Sequence, residues 1–424
     1  MRIELENIGM LKQASVEIDG LTVIAGENDT GKSTVGKVIF CIIKAISRYE
    51  EDFKESKEFK IKEILNLMFF HIRKNVNFET EQEIDRLTSI FDIDYFLHKE
   101  ESDDLENYLE ELKDYIQEIG KDTLLERPIE QLKSIIFIPE DEQKSIENAL
   151  NKVFRSEFDS NILNYNCKVG SIKLYENDLE LLNILVGEDN NIKLENKVEP
   201  IEFKEATFIE TPLILNNHDM LMRSHTGLDL TKRRSKILGI PYTTLHTKDL
   251  FEKLKLSNWS FLYNDEFENQ IKIKISSIIN GEIIYDEDEK NFVYIKDEKK
   301  IPIKNTATGI KAFGIIQLLI DNDFINRTSI LILDEPEIHL HPKWQLQYAQ
   351  IIATLVKNNI SVMVTSHSPY MIQSFIKYAQ DYKISDKSNF YLIDKEDEMS
   401  ISKNVNNSVN EIFELLAKPM NEIY

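Results

Sequence analysis

Residues 2–7 and 13–18 alternate apolar and polar positions as half-buried strands do, and residues 21–25 form a nearly continuous apolar run typical of a central strand. A glycine-flanked turn follows. Val35, Val38, Ile39, Ile42, Ile43 and Ile46 then recur at helical spacing, so the unit reads strand, loop, helix. From residue 48 to about 165 the chain is crowded with Glu and Lys and predicts several helices. Within it Leu105, Tyr108, Leu112, Tyr115 and Ile119 keep an a/d pattern for about two heptads, enough for a helical hairpin or small bundle. Between about 166 and 300, short alternating stretches at 171–175, 207–215, 270–275 and 291–295 predict strands, with a helix near 248–256. Beyond 300 the pattern predicts helix from Gly309, strand 329–333, helix from Pro342, strand 360–364, helix from Pro369 and strand 390–393. Such alternation implies a largely parallel sheet with covering helices. No internal repeat or low-complexity linker interrupts it.

Composition narrows the class. The 424 residues carry 51 basic and 74 acidic side chains, a net charge of −23, with 42% hydrophobic and 29% charged residues, so the chain folds and is long enough for two or three units. Bulk acidity argues against a surface built to grip phosphate backbones, although it leaves room for a local basic groove. Two cysteines, Cys41 and Cys167, rule out a disulfide scaffold or a four-cysteine zinc site. The start has no apolar signal core and no apolar run approaches the roughly 20 residues of a membrane span, so the expectation is a soluble, cytoplasmic protein without a membrane partner.

Two motifs carry chemistry. Gly26, Glu27, Asn28, Asp29, Thr30, Gly31, Lys32 and Ser33, followed by Thr34, match G-x-x-x-x-G-K-[ST] between a predicted strand and a predicted helix. Glycine is scarce, 13 of 424 residues, which makes a chance match improbable. In such a loop backbone N–H groups cradle phosphate, Lys32 reaches the β- and γ-phosphates, and Ser33 binds Mg²⁺. The second motif, residues 329–337 (SILILDEPE), is an apolar strand with Asp334 and Glu335 emerging at its C-terminal end, where ligands bind in open α/β sheets. Asp334 is placed to hold the Mg²⁺ shell, and Glu335 to orient and polarise an attacking water.

With these residues the chain resembles the ABC-type ATPase heads of the SMC, RecF and OLD group, and in particular stand-alone OLD-like bacterial ATPases lacking a TOPRIM domain. The Asp-Glu-Pro-Glu order supports the resemblance, as do residues 305–311 (NTATGIK), which look like a divergent signature loop, residues 338–341 (IHLH), which follow the acidic pair as a D-loop does, and residues 365–369 (TSHSP), which supply His367 as switch histidine. It covers about the first 46 and last 120 residues. Asn28-Asp29 stands where the family often has Asn-Gly, Ile310 replaces the second signature glycine, and the Q-loop glutamine has no assigned counterpart. The resemblance implies a P-loop NTPase fold of ABC type, α/β with a mixed, largely parallel sheet and an N-terminal antiparallel β lobe. It implies a discontinuous head, 1–47 and 166–424, carrying a helical insertion, 48–165, for docking or dimerisation. ATP and Mg²⁺ would bind between two heads of a homodimer. Lys32, Ser33, Asp334, Glu335 and His367 would act in cis, and Thr308, Gly309 and Lys311 would complete the partner's site in trans.

The remaining candidates are weaker. His339 and His341 are two residues apart but read as loop contacts rather than a metal pair. Trp344, Tyr348, Ile351, Ile352 and Leu355 have the spacing of core packing. Asp394 and Asp397 read as a terminal strand and turn rather than a nuclease centre. Lys232, Arg233, Arg234 and Lys236 form the densest positive cluster. The leading expectation is an ATPase whose nucleotide-dependent dimerisation controls a separate effector protein from a neighbouring gene, in anti-phage defence of the Septu or PARIS type. The alternative is a DNA-repair or DNA-sensing ATPase that grips nucleic acid through that basic cluster. Nucleic acid is thus an allowed partner and not a required one.

Overall fold

The structure, a computed structural model, describes residues 1–75, 80–91, 102–118, 125–137, 142–228, 241–256 and 266–421. The chain divides into two compact units, residues 1–47 with 146–424 and residues 48–145. The strands are β1 (Arg2–Ile8), β2 (Leu11–Glu17), β3 (Leu21–Gly26), β4 (Gly170–Glu176), β5 (Leu179–Val186), β6 (Ile192–Leu194), β7 (Glu205–Ile209), β8 (Glu282–Asp286), β9 (Asn291–Lys296), β10 (Lys299–Pro302), β11 (Ser329–Asp334), β12 (Ser361–Ser366), β13 (Ser388–Glu396) and β14 (Met399–Asn404). The helices are α1 (Lys32–Asn75), α2 (Glu81–Ile90), α3 (Ser102–Glu118), α4 (Glu126–Phe137), α5 (Glu142–Phe158), α6 (His218–Arg223), α7 (Leu245–Lys255), α8 (Glu266–Ile279), α9 (Thr308–Asp321), α10 (Pro342–Lys357), α11 (Pro369–Asp381) and α12 (Asn410–Asn421).

Eleven strands make one mixed sheet in the order β6-β5-β4-β1-β2-β14-β13-β3-β12-β11-β7. The half from β13 to β7 is parallel throughout, and β6 to β2 form the expected antiparallel lobe. Every residue of β3 and β11 is buried, as central strands with both faces covered require. Helices α9, α10 and α11 supply the apolar cover through Phe313, Ile316, Leu319, Tyr348, Ile352, Leu355 and Phe375, so the predicted stripe from Tyr348 to Leu355 is core, with Trp344 packed partly buried at its edge. Helix α11 starts where the sequence says it should: Pro369 opens the first turn, and the Ser368 hydroxyl accepts from Met371 N.

Three expectations are corrected. The strand predicted over 207–215 ends at Ile209, because Pro212 cannot continue the ladder and opens a 3₁₀ turn instead. Residues 270–275 are helical, inside α8. Ile271, Ile275 and Ile279 recur every four residues and are buried while Ile273 is exposed, so the helical period wins over the alternating one. The 48–145 unit has its own core, including Leu65, Met68, Tyr108, Leu112, Tyr115 and Leu132. Its second boundary falls at 145 and not 165, since α5 is bonded into the first unit, Asn151 exchanging hydrogen bonds with the backbone of Ile192 (2.8 and 2.9 Å). No helix among the described residues is long and apolar enough to cross a membrane.

Candidate functional site

Strand β3 delivers the glycine loop to the C-terminal edge of the sheet, and α1 leaves from it at Lys32. Asp29 (φ 61°) and Gly31 (φ 93°) adopt left-handed backbone, so the aspartate in the Asn-Gly position makes the turn itself. Gly26 is fixed by close approach: a Cβ there would lie 2.4 Å from the Ile393 carbonyl oxygen on neighbouring β13. The Thr30 hydroxyl donates to Glu27 O (2.9 Å) and braces the bend. Lys32 is buried and folds back, its Nζ donating to Gly26 O (3.1 Å) and Glu27 O (2.7 Å), while Glu27, Asn28 and Asp29 stand exposed at the rim. Such a loop at a helix N-terminus is an anion cradle.

Strand β11 brings the acidic pair against this cradle. Asp334 Oδ1 accepts from Ser33 Oγ (2.8 Å) and from Thr365 Oγ1 (2.6 Å), Thr365 being its register partner on β12. Burial pushes the Asp334 carboxyl upward, and the two hydroxyls oppose that shift. A desolvated carboxylate beside a hydroxyl is a set of hard oxygen donors, and it fits Mg²⁺. Glu335 is left-handed (φ 46°, ψ 53°), a strained conformation for this residue type. Its N–H donates to both Thr365 O and Thr365 Oγ1 (3.1 Å each), which hold the strain in place. The strained turn aims Glu335 Oε1 to within 3.5 Å of Lys32 Nζ and 3.3 Å of His367 Nδ1. The four residues expected to act together in cis with Ser33 are therefore in one place.

Four participants were not anticipated from the sequence. Glu337, the last letter of DEPE, is buried, and its Oε1 accepts from Ser366 Oγ (2.8 Å), His367 N (2.8 Å) and Ser368 N (3.2 Å), so it clamps the loop that carries His367. Thr365 is the bracket just described. Lys37, four residues beyond Ser33 and on the same face of α1, lies 3.7 Å from Glu210 Oε1. Glu210 follows β7, whose Ile209 is paired with Leu333, so it stands level with Asp334 on the adjacent strand. A hydrogen bond from His246 holds the Glu210 carboxyl down at about 2 against the opposing effect of burial, with Lys37 adding to it. A second acidic residue two positions past Glu335 was visible in the sequence as a signal; Glu210 was not, because only strand pairing brings it here.

The set predicted to act in trans divides. Thr308 opens α9 and is partly exposed. Gly309 is buried against Trp344, whose ring would lie 2.7 Å from an added Cβ. Lys311 is buried, its Nζ donates to Asn216 Oδ1 (2.7 Å), and burial lowers its pKa. His341 accepts from Lys343 N (3.3 Å) and caps α10, and among the described residues no three or more His, Cys, Asp and Glu side chains gather as a metal cluster. Asp394 and Asp397 fall on the β13 strand and its turn. Lys232, Arg233, Arg234 and Lys236 lie outside the described residues.

A family model described as an AAA ATPase domain matches residues 1–372. Among solved structures the chain is similar to the SMC head domain from Thermotoga maritima, at 10% identity over 95% of this chain and 98% of that one, with a TM-score of 0.39. It is likewise similar to an SMC head bound to the C-winged helix domain of ScpA (11% identity, 97% and 98% covered, TM-score 0.40). A third is the SMC head domain with an extended coiled coil from Pyrococcus furiosus, bound to the C-terminal domain of ScpA (12% identity, 99% and 98% covered, TM-score 0.39).

Proposed function

Because the chain belongs to the AAA ATPase domain family, and is an ATPase on that ground, we propose that it hydrolyses ATP at the Lys32–Glu335–His367 site in the ABC manner. Two heads pair through their nucleotides, and this pairing controls a separate effector protein in a bacterial anti-phage system. The observation that carries the hydrolytic reading is the strained Glu335, whose carboxylate is aimed between Lys32 and His367.

The β-phosphate occupies the loop N–H cradle, and Lys32 exchanges the Gly26 and Glu27 carbonyls for oxygens of the β- and γ-phosphates. Ser33 and Asp334 would hold Mg²⁺, which neutralises charge on the β- and γ-phosphates when bound. Glu335 orients a water and takes its proton as the water oxygen bonds to the γ-phosphorus and the bond to the β–γ bridging oxygen breaks; ADP leaves with that oxygen. His367, held at the backbone by Glu337, donates to the departing phosphoryl group's oxygens. The 48–145 unit offers helical surface for docking a protein partner.

Glu335→Gln keeps the side-chain volume and removes the base. ATP binding is expected to persist, steady-state turnover to fall by at least about 100-fold, and an ATP-dependent dimer to accumulate in size-exclusion chromatography. Wild-type hydrolysis by this variant refutes the assignment. Co-purification of the neighbouring gene's product tests the effector, and full protection by this chain alone in infected cells refutes it.

A further inference from the structure

A closed line of charge lies behind the nucleotide loop, and the hydrolytic chemistry above leaves it unused. His246, on the first turn of α7, is 1% exposed. Its Nδ1 is 2.5 Å from Glu157 Oε1, its backbone N–H donates to Glu157 Oε2 (3.1 Å), and its Nε2 is 3.2 Å from Glu210 Oε2. Glu157, at the end of α5, has a fully buried side chain, and this one histidine engages both of its oxygens. Phe208 and Phe40 wall the imidazole at 4.9 and 6.4 Å between ring centres. The other groups facing the assembly are Lys37 and Cys41 from α1 and the hydroxyls of Thr244 and Thr247.

Two carboxylates flanking one ring, one at each nitrogen, favour its doubly protonated form. A carboxylate buried as deeply as Glu157 is tolerated only with such a partner. Burial works against the charged ring, yet the two carboxylates outweigh it and raise its pKa. Glu210 is then gripped on one oxygen by His246 and on the other by Lys37. Lys37 is one helical turn beyond Ser33, and its charge acts on Asp334. From Glu157 the contacts run through His246 and Glu210 to Lys37, across α5, α7, the end of β7 and α1, and Lys37 reaches Asp334 through its charge.

We propose that His246 is a positioning residue for ATP hydrolysis. Acting through Glu210, it tethers Lys37 beside the site, so that the Asp334 carboxylate stays available to Ser33 and the divalent cation instead of pairing with Lys37. The inference rests on the reading that hydrolysis takes place at Lys32 and Asp334. Without the tether Lys37 is free to swing toward Asp334 and compete with the cation.

The test is steady-state ATP hydrolysis by Glu210→Gln, His246→Gln, the double variant and Lys32→Ala, each checked by circular dichroism and titrated with MgCl₂. Alongside it, Mn²⁺ binding is followed by electron paramagnetic resonance without turnover, where each of Glu210→Gln and His246→Gln is expected to bind the ion about tenfold more weakly. Each single variant is expected to lower kcat about tenfold and to raise the Mg²⁺ concentration for half-maximal rate by a similar factor, with the KM for ATP little changed. The double variant is expected to be no worse than either single one, as for residues acting in series. The wild-type rate is expected to fall as the pH rises through the His246 pKa, and His246→Gln to lose that alkaline limb. Glu210→Gln leaves Glu157 paired with His246, so it carries the test even where His246→Gln fails to fold. Wild-type kcat and Mg²⁺ dependence in folded Glu210→Gln, or additive losses in the double variant, overturn the relay while Lys32→Ala remains dead. Turnover that survives Lys32→Ala overturns the site reading and the relay together.

Discussion

Glu337 is the most exacting place to perturb the site, because it touches no phosphate and still decides where His367 stands. Its Oε1 collects three donors from the switch loop, two at 2.8 Å and one at 3.2 Å, and Oε2 is buried without a hydrogen-bond partner. Glu337→Gln preserves the shape and removes the charge. Hydrogen bonds to a charged acceptor contribute about 1.5–3 kcal/mol each and neutral ones about 0.5–1.5, so about 1 kcal/mol is lost per bond. The amide nitrogen that replaces Oε2 adds a buried donor with no acceptor. The three bonds together hold the loop less firmly by about 3 kcal/mol, which sets a ceiling of about 150-fold on the loss of kcat through the switch loop. Glu337→Ala orphans the three donors outright and is expected to lower the unfolding temperature by several degrees as well. Steady-state turnover and calorimetry measure both quantities. Wild-type kcat and unfolding temperature in Glu337→Ala would show that the switch loop holds its conformation unaided, and would refute the clamp.

Gly26→Ala forces a Cβ to 2.4 Å from the Ile393 carbonyl, so β3 and β13 must part locally; nucleotide binding, followed by fluorescent-ATP titration, is expected to weaken at least about tenfold. The His246 relay also shapes stability against pH. Glu210, lowered to about 2, contributes stability above the usual carboxylate range that is lost as pH falls toward about 2. His246, raised, contributes stability below its ordinary value that is lost as pH climbs through its folded pKa. Urea denaturation across pH is expected to show both arms, with Glu210→Gln flattening the acidic one; an unchanged acidic arm counts against the pairing.

The elements near the site were legible because local pattern and tertiary position agree there. Residues 21–25 read as a central strand and are one; the glycine loop and the DEPE strand end sit where a parallel sheet presents them. What stayed hidden depends on pairing between distant segments. Glu210 is an unremarkable acid after a short strand until β7 is laid beside β11, and Lys37 is one more lysine on an amphipathic helix until the turn beyond Ser33 faces it. The surroundings of Lys311 were hidden in the same way: its face of α9 packs inward, and its ammonium meets Asn216, 95 residues away in the chain. Residues 270–275 show the limit of alternation as a signal, since IKIKI satisfies both periods until burial selects one.

The order of strands sets a timetable. β3, which ends in the phosphate loop, is flanked in the sheet by β12 and β13, strands made long after it. Ser33 and Asp334, hydrogen-bonded to each other, are 301 residues apart in the chain. On the ribosome the antiparallel strands β1 and β2 can pair early, whereas the glycine loop must wait for Thr365, His367 and Ile393 before its walls exist. The emerging polypeptide therefore carries no finished nucleotide site until the strands that flank β3 have been made and have closed on it.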